Sequence, residues 1–341
     1  MPPMGLFIST NSFGDGTSSY GRDAVAALQL VCSHFTVKTS PMRITSLALD
    51  HLTDSDGEYL ETPLSKLAPY FGCFDHVYVG VADNHFADDI YCKALLNQSF
   101  VSEWVRRSEV AASRFESELG PKLDHMRWYL NYEAAGNYFS TGCNHFTPLQ
   151  PPSPSAEPSV APAVSAAAFT TAYVSMFSTL TERLVAIRNT SVMWSPTFNS
   201  PSADVTDRAA LLGNVTELFR GVPLMREVAN QDALGKYSLY NVTSRSFTYN
   251  LTCTDTVFYQ ALLHEAAAAA AEQGAPPAEV SVNMELFSRR NTLPKQSTIT
   301  GDPEEHEKRK CCYARHNLSL GPSWELVDWY RSQFLPWDPD A

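Results

Sequence analysis

Basic side chains are scarce in this 341-residue chain: 25 Lys and Arg stand against 37 Asp and Glu, for a formal net charge of -12. That balance excludes a nucleic-acid backbone as the expected partner, because binding phosphates needs clustered cations. The one basic run, Lys308-Arg309-Lys310, sits beside Glu304, Glu305 and Glu307 and reads as a solvated charged loop. Long apolar runs are missing too, so no membrane span is expected. There is no nucleophile elbow, P-loop or dinucleotide fingerprint, and no CxxC pair points to zinc. Asp83, His85, Asp88 and Asp89 lie close in sequence but at no strong metal-ligand spacing, so no metal and no cofactor is expected.

What is present is ample core material, with 44% hydrophobic and only 18% charged residues. Strand-like runs alternate with helical ones along the chain. The strands are expected at Gly5 to Thr10, Met42 to Leu49, Phe74 to Ala82, His125 to Glu133, Ser191 to Pro196, Leu224 to Asn230, Val280 to Leu286 and Cys311 to His316. Helices are expected at about Arg22 to Phe35, Asp89 to Leu119, Thr170 to Arg188, a run capped by Asp204 or Thr206 and ending at Phe219, Thr254 to Gln273, and Trp324 to Phe334. Eight strands separated mostly by helices imply an α/β fold, one (β/α)8 TIM barrel over residues 1–341. Thr147 to Ala168, rich in Pro, Ser and Ala, interrupts the rhythm and is expected to be an extended or disordered insertion after strand four.

Six Asn-x-Ser/Thr sequons, at Asn97, Asn189, Asn214, Asn241, Asn250 and Asn317, exceed what chance would place in this composition. With seven cysteines available for disulfides, they point to a secreted, N-glycosylated protein. Met1-Pro2-Pro3-Met4 carries no basic n-region and no long h-region. Either a leader lies outside this sequence or the sequons go unused.

The most informative stretch is His125-Met126-Arg127-Trp128-Tyr129-Leu130-Asn131-Tyr132-Glu133. Strand alternation puts Tyr129, Asn131 and Glu133 on one side and Trp128, Leu130 and Tyr132 on the other. An acid and an amide therefore share a strand's C-terminal tip, where barrel enzymes place catalytic groups. In strand seven Ser281, Asn283 and Glu285 share a face opposite Val280, Val282 and Met284. Glu133 and Glu285 would approach each other across the barrel mouth. Two such carboxylates are what glycoside hydrolysis needs, one to protonate the leaving oxygen and one to attack the anomeric carbon or activate water. A retaining enzyme holds them about 5 to 5.5 Å apart, and that shorter separation is the expectation here. Asn131, Tyr138, Trp194, Asp232, Asn283, Phe287 and Arg315 are the expected substrate-binding residues, the aromatic ones by stacking on sugar faces.

The stretches Trp128-Tyr129-Leu130-Asn131-Tyr132-Glu133, Trp194-Ser195-Pro196-Thr197-Phe198, Asn230-Gln231-Asp232-Ala233-Leu234-Gly235 and Asn283-Met284-Glu285-Leu286-Phe287 resemble the signatures of strands four to seven in an uncharacterised domain-of-unknown-function family of glycosidase-like TIM barrels. More remotely, the chain is similar to clan A glycoside hydrolases. That resemblance implies an acid/base role for Glu133, a nucleophile role for Glu285, and an oligosaccharide or polysaccharide as partner. It departs from the clan pattern at Tyr132, which stands between Asn131 and the glutamate. The alternative is a non-catalytic extracellular barrel, structural or carbohydrate-binding, with assembly partners in a matrix or filament. A glycan on Asn317, just past the expected eighth strand, would favour that alternative by crowding the mouth.

Overall fold

A computed structural model describes residues 4–13, 17–35, 44–83, 95, 97–133, 136, 138–142, 164–198, 201–232, 252–283, 287–289, 298–300, 311–318 and 322–325. Seven strands follow in chain order: β1 (Met4–Ile8), β2 (Ile44–His51), β3 (His76–Val81), β4 (Met126–Leu130), β5 (Val192–Trp194), β6 (Met225–Gln231) and β7 (Glu279–Asn283). Then come β8 (Phe287–Arg289), β9 (Thr298–Thr300) and β10 (Pro322–Glu325). One eight-stranded sheet runs β10-β1-β2-β3-β4-β5-β6-β7, with every pairing parallel. Its edges, β10 and β7, come to lie side by side, and the curled sheet is a TIM barrel. β8 and β9 form a separate antiparallel ribbon.

Between the strands lie α1 (Thr10–Phe13), α2 (Ser19–Leu30), α3 (Glu61–Phe71), α4 (Gln98–Glu118), α5 (Tyr138–Thr141), α6 (Ala166–Ile187), α7 (Arg208–Gly221) and α8 (Cys253–Glu272). The long helices start at side-chain caps that take up otherwise orphaned backbone N–H groups. Ser18 accepts from Gly21, Asn97 from Ser99 and Phe100, Ser165 from Ala168, and Asp207 from Ala210. α8 opens on a capping box between Thr252 and Asp255. None of these five long helices is apolar enough over its length to cross a membrane.

The core has two layers, separated by the sheet. Inside the barrel, Phe7, Ala48, Tyr78, Tyr129, Met193 and Ala229 form a compact plug. Outside it, Trp128, Leu130, Tyr132, Trp194, Val228 and Val282 pack against the helices. The alternation expected along strand four is therefore the alternation observed, with Tyr129 facing in and Trp128 facing out. Beneath the plug, Glu227 is held by Arg127 at 2.7 Å, Tyr78 Oη at 2.6 Å and Ser191 Oγ at 2.7 Å. That bottom carboxylate ties β3, β4, β5 and β6 together.

Two expectations are corrected. Residues 311–315 are helical, and the eighth barrel strand is β10, ten residues further on, where a closing helix was expected. A disulfide from Cys312 to Cys253 at the start of α8, Cα atoms 6.5 Å apart, holds that short helix in place. A second disulfide, Cys32–Cys73 with Cα atoms 5.4 Å apart, ties the π-helical turn after α2 to the end of α3. The expected insertion lies outside the described residues as far as 163, and α6 already begins at Ala166.

Candidate active site

Because the barrel strands are parallel, their C-terminal ends open on one mouth. Glu133, three residues beyond β4, is half-buried there and accepts a 3.1 Å hydrogen bond from Tyr129 Oη. Burial first, and the Glu133 charge second, push the Tyr129 hydroxyl well above its ordinary pKa, so it stays a donor. Asn131 is 6% exposed, and its Nδ2 donates to the carbonyls of Asp50 at 3.0 Å and Ala82 at 3.2 Å. Its Oδ1 is buried with no hydrogen-bond partner among the described residues. That oxygen is an acceptor in want of a donor, at a cost of about 1 to 3 kcal/mol while unmet.

At the end of β2, two strands away, the sequence reading missed a pair. Asp50 Oδ1 accepts from Thr10 N at 2.8 Å and Thr10 Oγ1 at 2.7 Å, and Asp50 Oδ2 lies 3.1 Å from His51 Nδ1. Burial works to raise the Asp50 carboxyl, but His51 and the Thr10 donors together hold it below the ordinary carboxylate value. For His51, burial opposes the charge, and the carboxylates of Asp50, Asp83 and Glu133 overcome it and hold the imidazole above its ordinary value. Asp83, two residues past β3, is 4% exposed, and its backbone N–H donates to Thr53 Oγ1 at 3.0 Å. Asp50-His51 was visible as a strand end, but nothing local marks it as a site. Its clamp, Thr10, is forty residues away.

The remaining expected site residues divide. Asn283, at the end of β7, donates to Ser195 Oγ at 3.0 Å, and Ser195 donates on to the Ala229 carbonyl at 2.8 Å. Asp232 is 3% exposed and accepts from Tyr313 Oη at 2.7 Å, while its backbone N–H donates to the Asn283 carbonyl. Tyr313, on the helix at 311–315, is a further mouth residue that the strand assignment hid. Arg315, on the same helix, is exposed rather than at a strand tip. Trp194 was expected on the rim, and instead is fully buried between β5 and α6, its Nε1 donating to the Tyr132 carbonyl at 3.0 Å. Tyr138, 4% exposed, packs against Phe169 on α6. Neither ring offers a sugar an open face. Phe287 starts β8, and Glu285 lies outside the described residues.

Among the described residues no cluster of three or more His, Cys, Asp or Glu side chains is arranged to hold a metal ion, and His85, Asp88 and Asp89 fall outside them. Of the sequons, Asn97, Asn189 and Asn317 are exposed. Asn214 differs, because its Nδ2, the atom a glycan would occupy, donates to the Phe139 carbonyl at 2.6 Å. Asn241 and Asn250 lie outside the described residues.

No protein-family model matches the chain, and no curated protein matches it. Solved structures do match. A GH18 chitinase from Pseudoalteromonas aurantia is 9% identical, covering 97% of this chain and 97% of its own, with a TM-score of 0.50. A family 1 β-glucosidase from Thermotoga maritima is 7% identical, covering 95% of this chain and 87% of its own, also at 0.50. At such identities the likeness is one of fold, and the fold is the TIM barrel that these glycosidases use.

Proposed function

We propose that the protein is a secreted glycoside hydrolase-like barrel that cleaves O-glycosidic bonds of an oligosaccharide or polysaccharide by a retaining, two-carboxylate mechanism. The observation that carries this reading is Glu133, half-buried at the C-terminal mouth with the Tyr129 hydroxyl on one oxygen and an unmet amide acceptor two residues before it. Glu133 supplies the proton to the leaving oxygen and later activates water, and Glu285 attacks the anomeric carbon. Asn131 Oδ1 accepts from a sugar hydroxyl or N–H, which meets its missing bond. Asp232, Asn283, Phe287 and Arg315 are the residues proposed to contact the substrate. The strand motifs resemble those of a glycosidase-like family, and two disulfides and three exposed sequons support an extracellular setting.

The test is hydrolysis of a panel of plant, algal and microbial polysaccharides by the full-length protein. Glu133→Gln and Glu285→Gln each keep the side-chain shape but cannot carry the proton or attack, so each should cut turnover by about a hundredfold or more. Proton NMR of the first-formed product should show retained anomeric configuration. Full activity in either variant removes that residue from the mechanism, and inversion removes the nucleophile role.

A second reading has one observation in its favour. Asn317 is an exposed sequon four residues from Tyr313, which bonds Asp232 at the mouth. A glycan there favours a non-catalytic carbohydrate-binding or structural barrel. Binding of a polysaccharide with no turnover, unchanged by Glu133→Gln, would select it.

A further inference from the structure

We propose that the floor of the barrel is a pH-sensitive latch: His76, at the start of β3, is held neutral as the acceptor of an Arg127 N–H, and its protonation under mild acid drives Arg127 away and loosens the tie that Glu227 makes across β3 to β6. The latch lies at the end of the barrel opposite the mouth and stands independently of the glycosidase reading.

The chemistry follows from which group can accept. Arg127 Nη2 lies within hydrogen-bond reach of His76 Nε2, at 3.4 Å. A guanidinium has donors and no acceptor, so in this bond the imidazole nitrogen is the acceptor and carries no proton. The one ring proton then sits on Nδ1, which is buried with no hydrogen-bond partner among the described residues. A second proton, on Nε2, would set donor against donor and cation against cation.

The same guanidinium closes the floor. Its Nη1 lies 2.7 Å from Glu227 Oε1 and donates to Tyr78 Oη at 3.3 Å. Glu227, with a side chain only 12% exposed, takes its other bonds from the hydroxyls of Tyr78 and Ser191. An imidazolium at position 76 would compete with Arg127 for this one carboxylate, and the bond that links Arg127 to His76 would be lost in either arrangement.

The charged and titratable groups facing His76 come from each side of it. Arg127 and Glu227 belong to β4 and β6, Asp75 precedes it in the chain, and the His125 ring, just before β4, stands edge-on with centroids 6.4 Å apart. Its register partner on β2, Ser46, is uncharged. Burial first, and the Arg127 charge second, hold the imidazole below its ordinary value against the pull of Glu227 and Asp75. The unfolded chain therefore takes up this proton first. The stability contributed by the neutral ring is complete above pH ~6.5 and is lost as pH falls from there toward the folded midpoint.

Urea denaturation of full-length wild type and His76→Gln between pH ~7.5 and ~5 tests the latch, because glutamine keeps an acceptor for Arg127 and never becomes charged. The wild-type midpoint should fall further than that of the variant, with the gap opening only below pH ~6.5. Amide exchange along Met126–Leu130 and Met225–Gln231 should quicken under acid in the wild type alone. Nitrogen-resolved NMR of the wild-type His76 ring, which needs no variant to fold, should show the Nδ1–H tautomer at neutral pH and a titration midpoint below ~6.5. An Nε2–H tautomer, a midpoint at or above that value, or equal acid sensitivity in the two proteins would overturn the proposal.

Discussion

Replacing Gly80 by alanine is the sharpest test of how the mouth is built. The added Cβ would lie 2.0 Å from the Asp50 carbonyl oxygen, 2.5 Å from its carbon and 2.7 Å from the Leu49 carbonyl oxygen. All three are backbone atoms, so no rotamer change relieves the contact, and β2 must move by about an ångström or more to restore van der Waals separation. Overpacking of that kind costs about 1–3 kcal/mol. The displacement also stretches the Asn131 bond to the Asp50 carbonyl and the two Thr10 bonds to its carboxylate. Those bonds are worth about 1 kcal/mol for the neutral acceptor and up to about 3 for the charged one. A total loss of about 3–6 kcal/mol is expected, read as a lower urea midpoint at unchanged slope. In whatever fraction remains folded, His51 should titrate closer to its ordinary value because Asp50 has moved away. Stability within about 1 kcal/mol of wild type, together with an unchanged His51 titration, would refute the claim that this close approach holds the site.

Trp194→Ala should destabilise by about 3–5 kcal/mol in urea denaturation, as expected of a core indole, while Glu133→Gln leaves the urea midpoint nearly unchanged. Asp255 accepts from the N–H and hydroxyl of both Ser202 and Thr252, and despite the opposing effect of burial these bonds hold its carboxyl below the ordinary value. Its folded pKa is depressed, so its contribution is present above pH ~3.8 and is lost as pH falls through the folded value. Asp255→Ala should therefore cost about 2–3 kcal/mol at pH 7 and progressively less under acid, measured by denaturation at several pH values. Reducing the disulfides, which close 41- and 59-residue separations, should destabilise by about 4 kcal/mol each on chain-entropy grounds. A melting temperature insensitive to reductant would contradict that. The sequence reading of 148–165 as an exposed insertion runs two residues too far, since Val164 is buried and Ser165 caps α6; deleting residues 148–163 should leave the thermal midpoint nearly unchanged, and a large drop would show the segment to be part of a packed unit.

The barrel was legible because its signals are local. Alternation along Met126 to Glu133 follows from the pleat of one strand, so the inward set of Tyr129, Asn131 and Glu133 could be read without knowing any neighbour. Ser18, Ser165 and the Thr252-Asp255 box act within three or four residues too, yet the helices they cap were expected to begin at Arg22, Thr170 and Thr254, one to four residues inside their observed starts. What failed depended on distant partners. Pro322–Glu325 is short, begins with proline and carries no β-branched residue; it is a strand only because β1 lies beside it. Cys311 to His316 looked more strand-like and is helical, held by a disulfide to Cys253, fifty-nine residues earlier in the chain. Trp194 is an aromatic near a strand tip, and only the position of α6 determines that its indole is core. Asp50 and His51 become a pair of consequence through Thr10, Gly80 and Asn131, which are separated from them by thirty to eighty residues and meet them only when β1 to β4 close side by side.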